Sequence, residues 1–141
     1  MTFEVPNPMS LSGSFSAVLI DPGQAPATIV KTTDPFRVHA DWSIDGPAAS
    51  VMGGDWHVSA YLESIGPGFE GQIGPTVNVP VAAAPPLPLP RNYHADINVA
   101  AGAVTAGTYK LVTVLLYTNG GFPNEIAGFS EGPLVQFYDP V

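Results

Sequence analysis

Cysteine is absent from all 141 residues. That excludes disulfides, thiolate metal sites and cysteine nucleophiles together. It fits a reducing compartment, and an oxidising one equally tolerates such a chain. Charge is scarce as well, at 11% of residues against about 25% in an average soluble domain. Basic residues are the scarcest: Lys31, Arg37, Arg91 and Lys110 stand against 12 acids, a formal net charge of −8. Four scattered cations form no patch, and a chain of this sign repels phosphate backbones, so nucleic acid is not an expected partner. No apolar run approaches the ~20 residues of a membrane helix, so no membrane insertion is expected. The start, Met1-Thr-Phe-Glu-Val-Pro-Asn-Pro8, has neither a basic n-region nor an apolar h-region. It does not read as a secretory signal, which favours a cytoplasmic location or one within an assembled particle. Helical periodicity is missing too, since no segment keeps a 3.6-residue period for two turns without Gly or Pro.

What is present is alternation. In Phe36–Ile44 the residues Phe36, Val38, Ala40, Trp42 and Ile44 fall on one side, with Arg37, His39, Asp41 and Ser43 on the other. Asn92–Val99 repeats the pattern, with Tyr93, Ala95, Ile97 and Val99 opposing Asn92, His94, Asp96 and Asn98. A period of two marks a strand with one face in a core and one in water. Both strands carry His-Ala-Asp in the same phase.

Further strands are expected over 15–20, 27–33, 55–63, 76–81, 109–117, 125–129 and 133–138, separated by turn sequences such as Asp21-Pro-Gly23 and Asn119-Gly-Gly121. The segment 109–117 is apolar on both phases, as in a strand covered on both faces. Gly66–Gly74 reads as a glycine-rich mobile loop, and the proline run from Pro85 to Pro90 as a stiff polyproline-like crossover. Residues 1–13 read as an extended arm, and 14–141 as one domain large enough for a self-sufficient core. The expected fold is all-β: an antiparallel sandwich of about seven to nine strands, essentially without helix, with a closed barrel as the second choice.

The order of landmarks resembles the immunoglobulin-like superfamily, of the fibronectin type III and bacterial cell-adhesion-related kind. Trp56 sits where the C-strand tryptophan of such domains lies, with Trp42 on the preceding strand. Ala106-Gly-Thr-Tyr109-Lys-Leu111 is similar to the Gly-x-Tyr-x-Leu start of an F strand, where a tyrosine corner forms. The departure is the missing cysteine pair. The resemblance implies that the two His-Ala-Asp strands are neighbours in one sheet, and that the surface serves binding and assembly.

Antiparallel pairing in that arrangement puts His39 across from Asp96 and Asp41 across from His94. Such a patch suits a divalent metal, a pH-responsive contact, or simply a solvated face with cross-strand charge pairs. Tyr61 and His57, on the outward phase of their strand, are candidates for binding carbohydrate. Phe3 and Val5 in the arm, with Phe137 and Tyr138 in the tail, are candidates for assembly by strand addition. Gly-x-Ser-x-Gly, P-loop and EF-hand patterns are all absent, so no cofactor and no enzyme activity are expected. The leading expectation is a non-enzymatic structural or assembly protein, a homo-oligomer or a component of a capsid, tail, fibre or shell. The alternative is a ligand-binding module for carbohydrate or a cell surface.

Overall fold

The computed structural model describes residues 2–4, 11–119 and 122–141. Among them nine strands form: β1 (Thr2–Glu4), β2 (Ser12–Ile20), β3 (Ile29–Lys31), β4 (Phe36–Asp45), β5 (Asp55–Ser64), β6 (Gly71–Pro80), β7 (Arg91–Val99), β8 (Gly107–Asn119) and β9 (Phe122–Tyr138). Helix is confined there to two 3₁₀ turns, Pro47–Val51 and Val81–Ala83. The smaller sheet has the order β2-β4-β7 and the larger β1-β9-β8-β5-β6, with β3 laid parallel along the end of β9. The chain is therefore all-β, with two sheets layered as a sandwich.

Alternation builds the core directly. Val38, Ala40, Trp42 and Ile44 of β4 are buried against Trp56, Val58, Ala60 and Leu62 of β5. Tyr93 stacks on Trp42 with ring centroids 5.7 Å apart, and Trp56 meets Trp42 edge-on at 6.2 Å. Ile97 and Leu111 join them in the same cluster, while Val79 packs at its margin, half-buried. Tyr109 is fully buried, and its hydroxyl donates to the carbonyl of Thr105 at 2.8 Å, tying the start of β8 to the loop before it.

Several elements depart from the sequence expectation. The arm is not free along its length, because Thr2–Glu4 pairs antiparallel with β9, Thr2 opposite Phe129 and Glu4 opposite Ala127. Three residues are too few to show a period. The Gly66–Gly74 loop is shorter than expected, since β6 already begins at Gly71. Gly74 has φ +66°, and a Cβ there would lie 2.6 Å from Ile97 Cγ2 and 2.9 Å from the Asn98 carbonyl. Glycine lets β6 pass close over β7 at this edge of the sandwich. The two short strands expected after residue 125 are one strand, β9, whose register against β8 shifts between Glu131 and Leu134. A bulge there takes up Gly132 and Pro133, which made the sequence look interrupted. The Pro85–Pro90 run forms no regular element, and its Leu87–Pro88 and Leu89–Pro90 bonds are cis. Finally, β8 is not covered on both faces. Its inward phase, Tyr109, Leu111, Thr113, Leu115 and Tyr117, is buried; on the outward phase Val112 is buried too, but Val114 is half-buried and Leu116 46% exposed.

Candidate functional site

Two surfaces present functional groups, one on each outer face. On the smaller sheet, β4 and β7 pair with His39 opposite Asp96 and Asp41 opposite His94, the register expected from the repeated tripeptide. His39 Nδ1 lies 2.8 Å from Asp96 Oδ1, and His39 Nε2 lies 3.1 Å from Asp41 Oδ2. Carboxylates only accept, so both contacts are made when both ring nitrogens carry hydrogen. Arg37 Nη1 donates to the same Asp96 oxygen at 2.6 Å, and Arg37 Nη2 to Gln24 Oε1 at 2.9 Å. The His94 ring stacks on His39 with centroids 6.2 Å apart. Burial pushes the Asp96 carboxyl up, but hydrogen bonds from His39 and Arg37 and their charges outweigh it. The net result holds Asp96 below the usual carboxylate range.

This network bears on the metal expectation for His39, Asp41, His94 and Asp96. Among the described residues no three His, Asp or Glu side chains are grouped to hold a metal ion. The side chains explain why. Both His39 nitrogens are turned to carboxylates, and the Arg37 guanidinium already occupies Asp96, where a cation would have to compete with it. The face is rounded out by Ser14, hydrogen-bonded to Ser43 at 2.9 Å.

The outer face of the larger sheet differs. Along β8 the outward positions are Lys110, Val112, Val114, Leu116 and Thr118. Cross-strand register sets Phe129 beside Val114 and Ala127 beside Leu116 on β9, and Ser59, His57 and Tyr61 beside Val114, Leu116 and Val112 on β5. Leu116 and Phe129 are exposed, as is Leu134 near the end of the face. The β5–β6 side is polar. His57 Nδ1 donates to Asn78 Oδ1 at 2.5 Å, its Nε2 accepts from the Thr118 hydroxyl at 2.8 Å, and Ser59 and Thr76 share a hydrogen bond of 2.8 Å. Tyr61 lies half-buried beyond them, so both carbohydrate candidates, His57 and Tyr61, share this face. Lys110 pairs with Glu131 at 2.8 Å at one end.

The assembly candidates are scattered by the fold. Phe137 is buried, packed on Phe36 at 5.3 Å and on Tyr109 at 5.7 Å, so it belongs to the core and presents nothing to a neighbour. Tyr138 is exposed. Phe3 lies in β1, whose backbone pairs with the chain's own β9. Val5 lies outside the described residues.

Sequence reasoning passed over Arg91, grouped there with scattered surface cations. It is 3% exposed. Its Nη1 donates to the carbonyls of Ala49 and Met52, and its Nη2 to those of Val81 and Ala84, all between 2.8 and 3.0 Å. The Tyr93 hydroxyl donates to the Val81 carbonyl as well, at 2.6 Å. One guanidinium thus fastens both 3₁₀ turns to the start of β7. The only sequence signal was its phase: Arg91 shares the inward phase of Tyr93, Ala95 and Ile97.

The class these features define is an all-β, two-sheet sandwich whose two outer faces carry opposite chemistry. No protein-family model matches the chain, and no curated protein matches it. Among solved structures it is similar to a β-glucosidase from Listeria innocua in complex with glucose, at 9% identity and a TM-score of 0.48. The alignment covers 89% of this chain and 16% of that one, so the chain spans about a sixth of the length of that enzyme. The expectation that the chain is not an enzyme is withdrawn on this finding, which in turn assigns the chain no enzyme activity. No helix among the described residues is long and apolar enough to cross a membrane.

Proposed function

We propose that this chain is an immunoglobulin-like sandwich serving as an interaction and assembly module, associating with copies of itself or with a component of a larger particle. The strand order β2-β4-β7 against β6-β5-β8-β9, with the Tyr109 hydroxyl bonded back to Thr105, supports the immunoglobulin-like reading. The observation that carries the assembly reading is the outward phase of β8 and β9, where Leu116 and Phe129 are exposed and the half-buried Val114 and buried Val112 complete one apolar strip with a polar border. A centre depleted in charge inside a polar rim is the anatomy of a protein interface. The test is mass in solution: sedimentation above 14.7 kDa, alone or with a particle component added, is the expected result. A species that stays at 14.7 kDa with every component tried sinks the reading.

A second reading, carbohydrate binding, is favoured by one observation. Tyr61 stands beside the row of hydrogen-bonding groups formed by Ser59, Thr76, His57 and Asn78. An aromatic ring with adjacent hydroxyl and amide groups suits a sugar's apolar face and its hydroxyls. Glycan-array binding that disappears in Tyr61→Ala would select this reading over assembly.

A further inference from the structure

We infer that the outer face of the larger sheet pairs two copies of this chain, sheet on sheet, about a twofold axis crossing β8 near Val114. The inference deepens the assembly reading and rests on it. Val114 is the midpoint of the outward positions Lys110 to Thr118, and Phe129 is its register partner on β9. An axis there, lying across the strands, lays β8 on β8 and β9 on β9. Leu116 of each copy then lies over the Val112 position of the other, where the side chain is already buried, and the Phe129 rings approach each other at the axis. Apolar positions fall on apolar positions along β8 and at Phe129, while the Lys110-paired Glu131 falls over Ala127, so the patch is self-complementary at its centre as an isologous contact requires.

Charge points to the same face. With a net charge of −8, two copies repel each other over most of their surface. The acidic smaller-sheet face, with Asp41, Asp45 and Asp96, is a poor place for them to meet. On the larger face β8 itself is uncharged from Val112 to Leu116, while Glu131 stands beside Val112 on β9 and Glu4 of β1 lies opposite Ala127 at the edge. Lys110 neutralises Glu131 at 2.8 Å, Glu63 lies opposite Lys110 on β5, and Asp55 stands at the far end of the face. Extent is sufficient as well. Four strands about 4.8 Å apart, over outward positions spanning about 27 Å, give roughly 500 Å² in flat projection; side-chain relief brings this towards the ~800 Å² per partner of a stable interface. Packing of one sheet on another across ~10 Å is also how the sandwich is built internally.

The test is sedimentation of the whole chain from about 1 to 500 µM. The wild type should move from 14.7 kDa towards twice that mass. Leu116→Lys and Phe129→Lys should each raise the dissociation constant at least ~30-fold, the effect of losing a central contact. Val18→Lys, at an exposed apolar position on the other sheet, should leave it unchanged. Because the chain has no cysteine, Val114→Cys gives a single thiol that a short bis-maleimide should join into covalent dimers, while Ser16→Cys should not. Circular dichroism melts would confirm that each variant is folded. Multimers that survive both lysine substitutions, or that cross-link through Ser16→Cys, overturn this face while leaving the assembly reading in place. A wild type that stays monomeric at every concentration overturns the second copy as occupant, and leaves the reading only a partner from a larger particle.

Discussion

On the smaller sheet, β2, β4 and β7 turn Ser14, Ser16, His39, Asp41, His94 and Asp96 to solvent; on the larger, β8 and β9 turn Val114, Leu116 and Phe129 the same way. Both sheets present their other side to one shared core around Trp42 and Trp56. The first face is tied across its strands, Ser14 to Ser43 and both Arg37 and His39 to Asp96. The second leaves apolar area open beside a polar ladder. The difference teaches that alternation sorts residues into two phases without saying what covers each phase. A strand apolar on both sides needs two covers, and this chain leaves the outward side of β8 open at Leu116.

The comparison presumes a common core, and its removal should have the largest effect. Trp56→Ala is expected to cost about 3–5 kcal/mol and to unfold a marginal domain, erasing both faces together. Unchanged thermal stability would break the account of the strand phases. Arg91→Met comes next. It removes the guanidinium donor from four carbonyls, of which Val81 alone keeps a side-chain donor in the Tyr93 hydroxyl, and should cost roughly 2–4 kcal/mol, read as a fall in melting temperature. The turns Pro47–Val51 and Val81–Ala83 should lose amide protection ahead of either sheet.

Substitutions on the faces should separate them. Leu116→Lys should change stability by no more than about 0.5 kcal/mol, because the position is already open to water within one chain, while association falls sharply. Ser16→Lys should be silent in both measurements. A large loss of stability in Leu116→Lys would mean that the face is covered within the chain, and the contrast would collapse.

The smallest effect belongs to the polar face. Asp96 is held below the usual carboxylate range, so its unfolded pKa, near 3.9, lies above its folded value. Its contribution is therefore present above about pH 4 and lost as pH falls through the folded pKa. Exposed pairs of this kind contribute about 0–1 kcal/mol. Thermal melts from pH 2 to 6 should show wild type losing more stability than Asp96→Asn across the acid limb. Parallel curves would mean that the His39–Asp96–Arg37 contacts carry no stability.

Much of this was legible beforehand where period and register are local. The strict alternation of Phe36–Ile44 and Asn92–Val99 placed Trp42, Ile97 and the paired His-Ala-Asp faces correctly, because side-chain direction in a strand follows from the pleat alone. Breaks in the pattern misled. Gly132 and Pro133 looked like a strand end but sit in a bulge, and the glycines from 66 to 74 looked like a loop but run into β6. Arg91, grouped with scattered cations, and Phe137, expected at an assembly surface, were misplaced for another reason: a charged residue on an inward phase, or an aromatic near the tail, finds its partners on other segments of the chain.

By itself, then, the sequence determined an all-β chain, the phase of its strands and the chemistry that each phase would present, since these depend on neighbours two residues apart. The tertiary structure alone decided which strands became edges, which turns closed around the Arg91 guanidinium, and that Phe137 would be buried while Leu116 stayed open. Those outcomes depend on contacts between residues tens of positions apart, and no period in the chain encodes which surface will lie across from which.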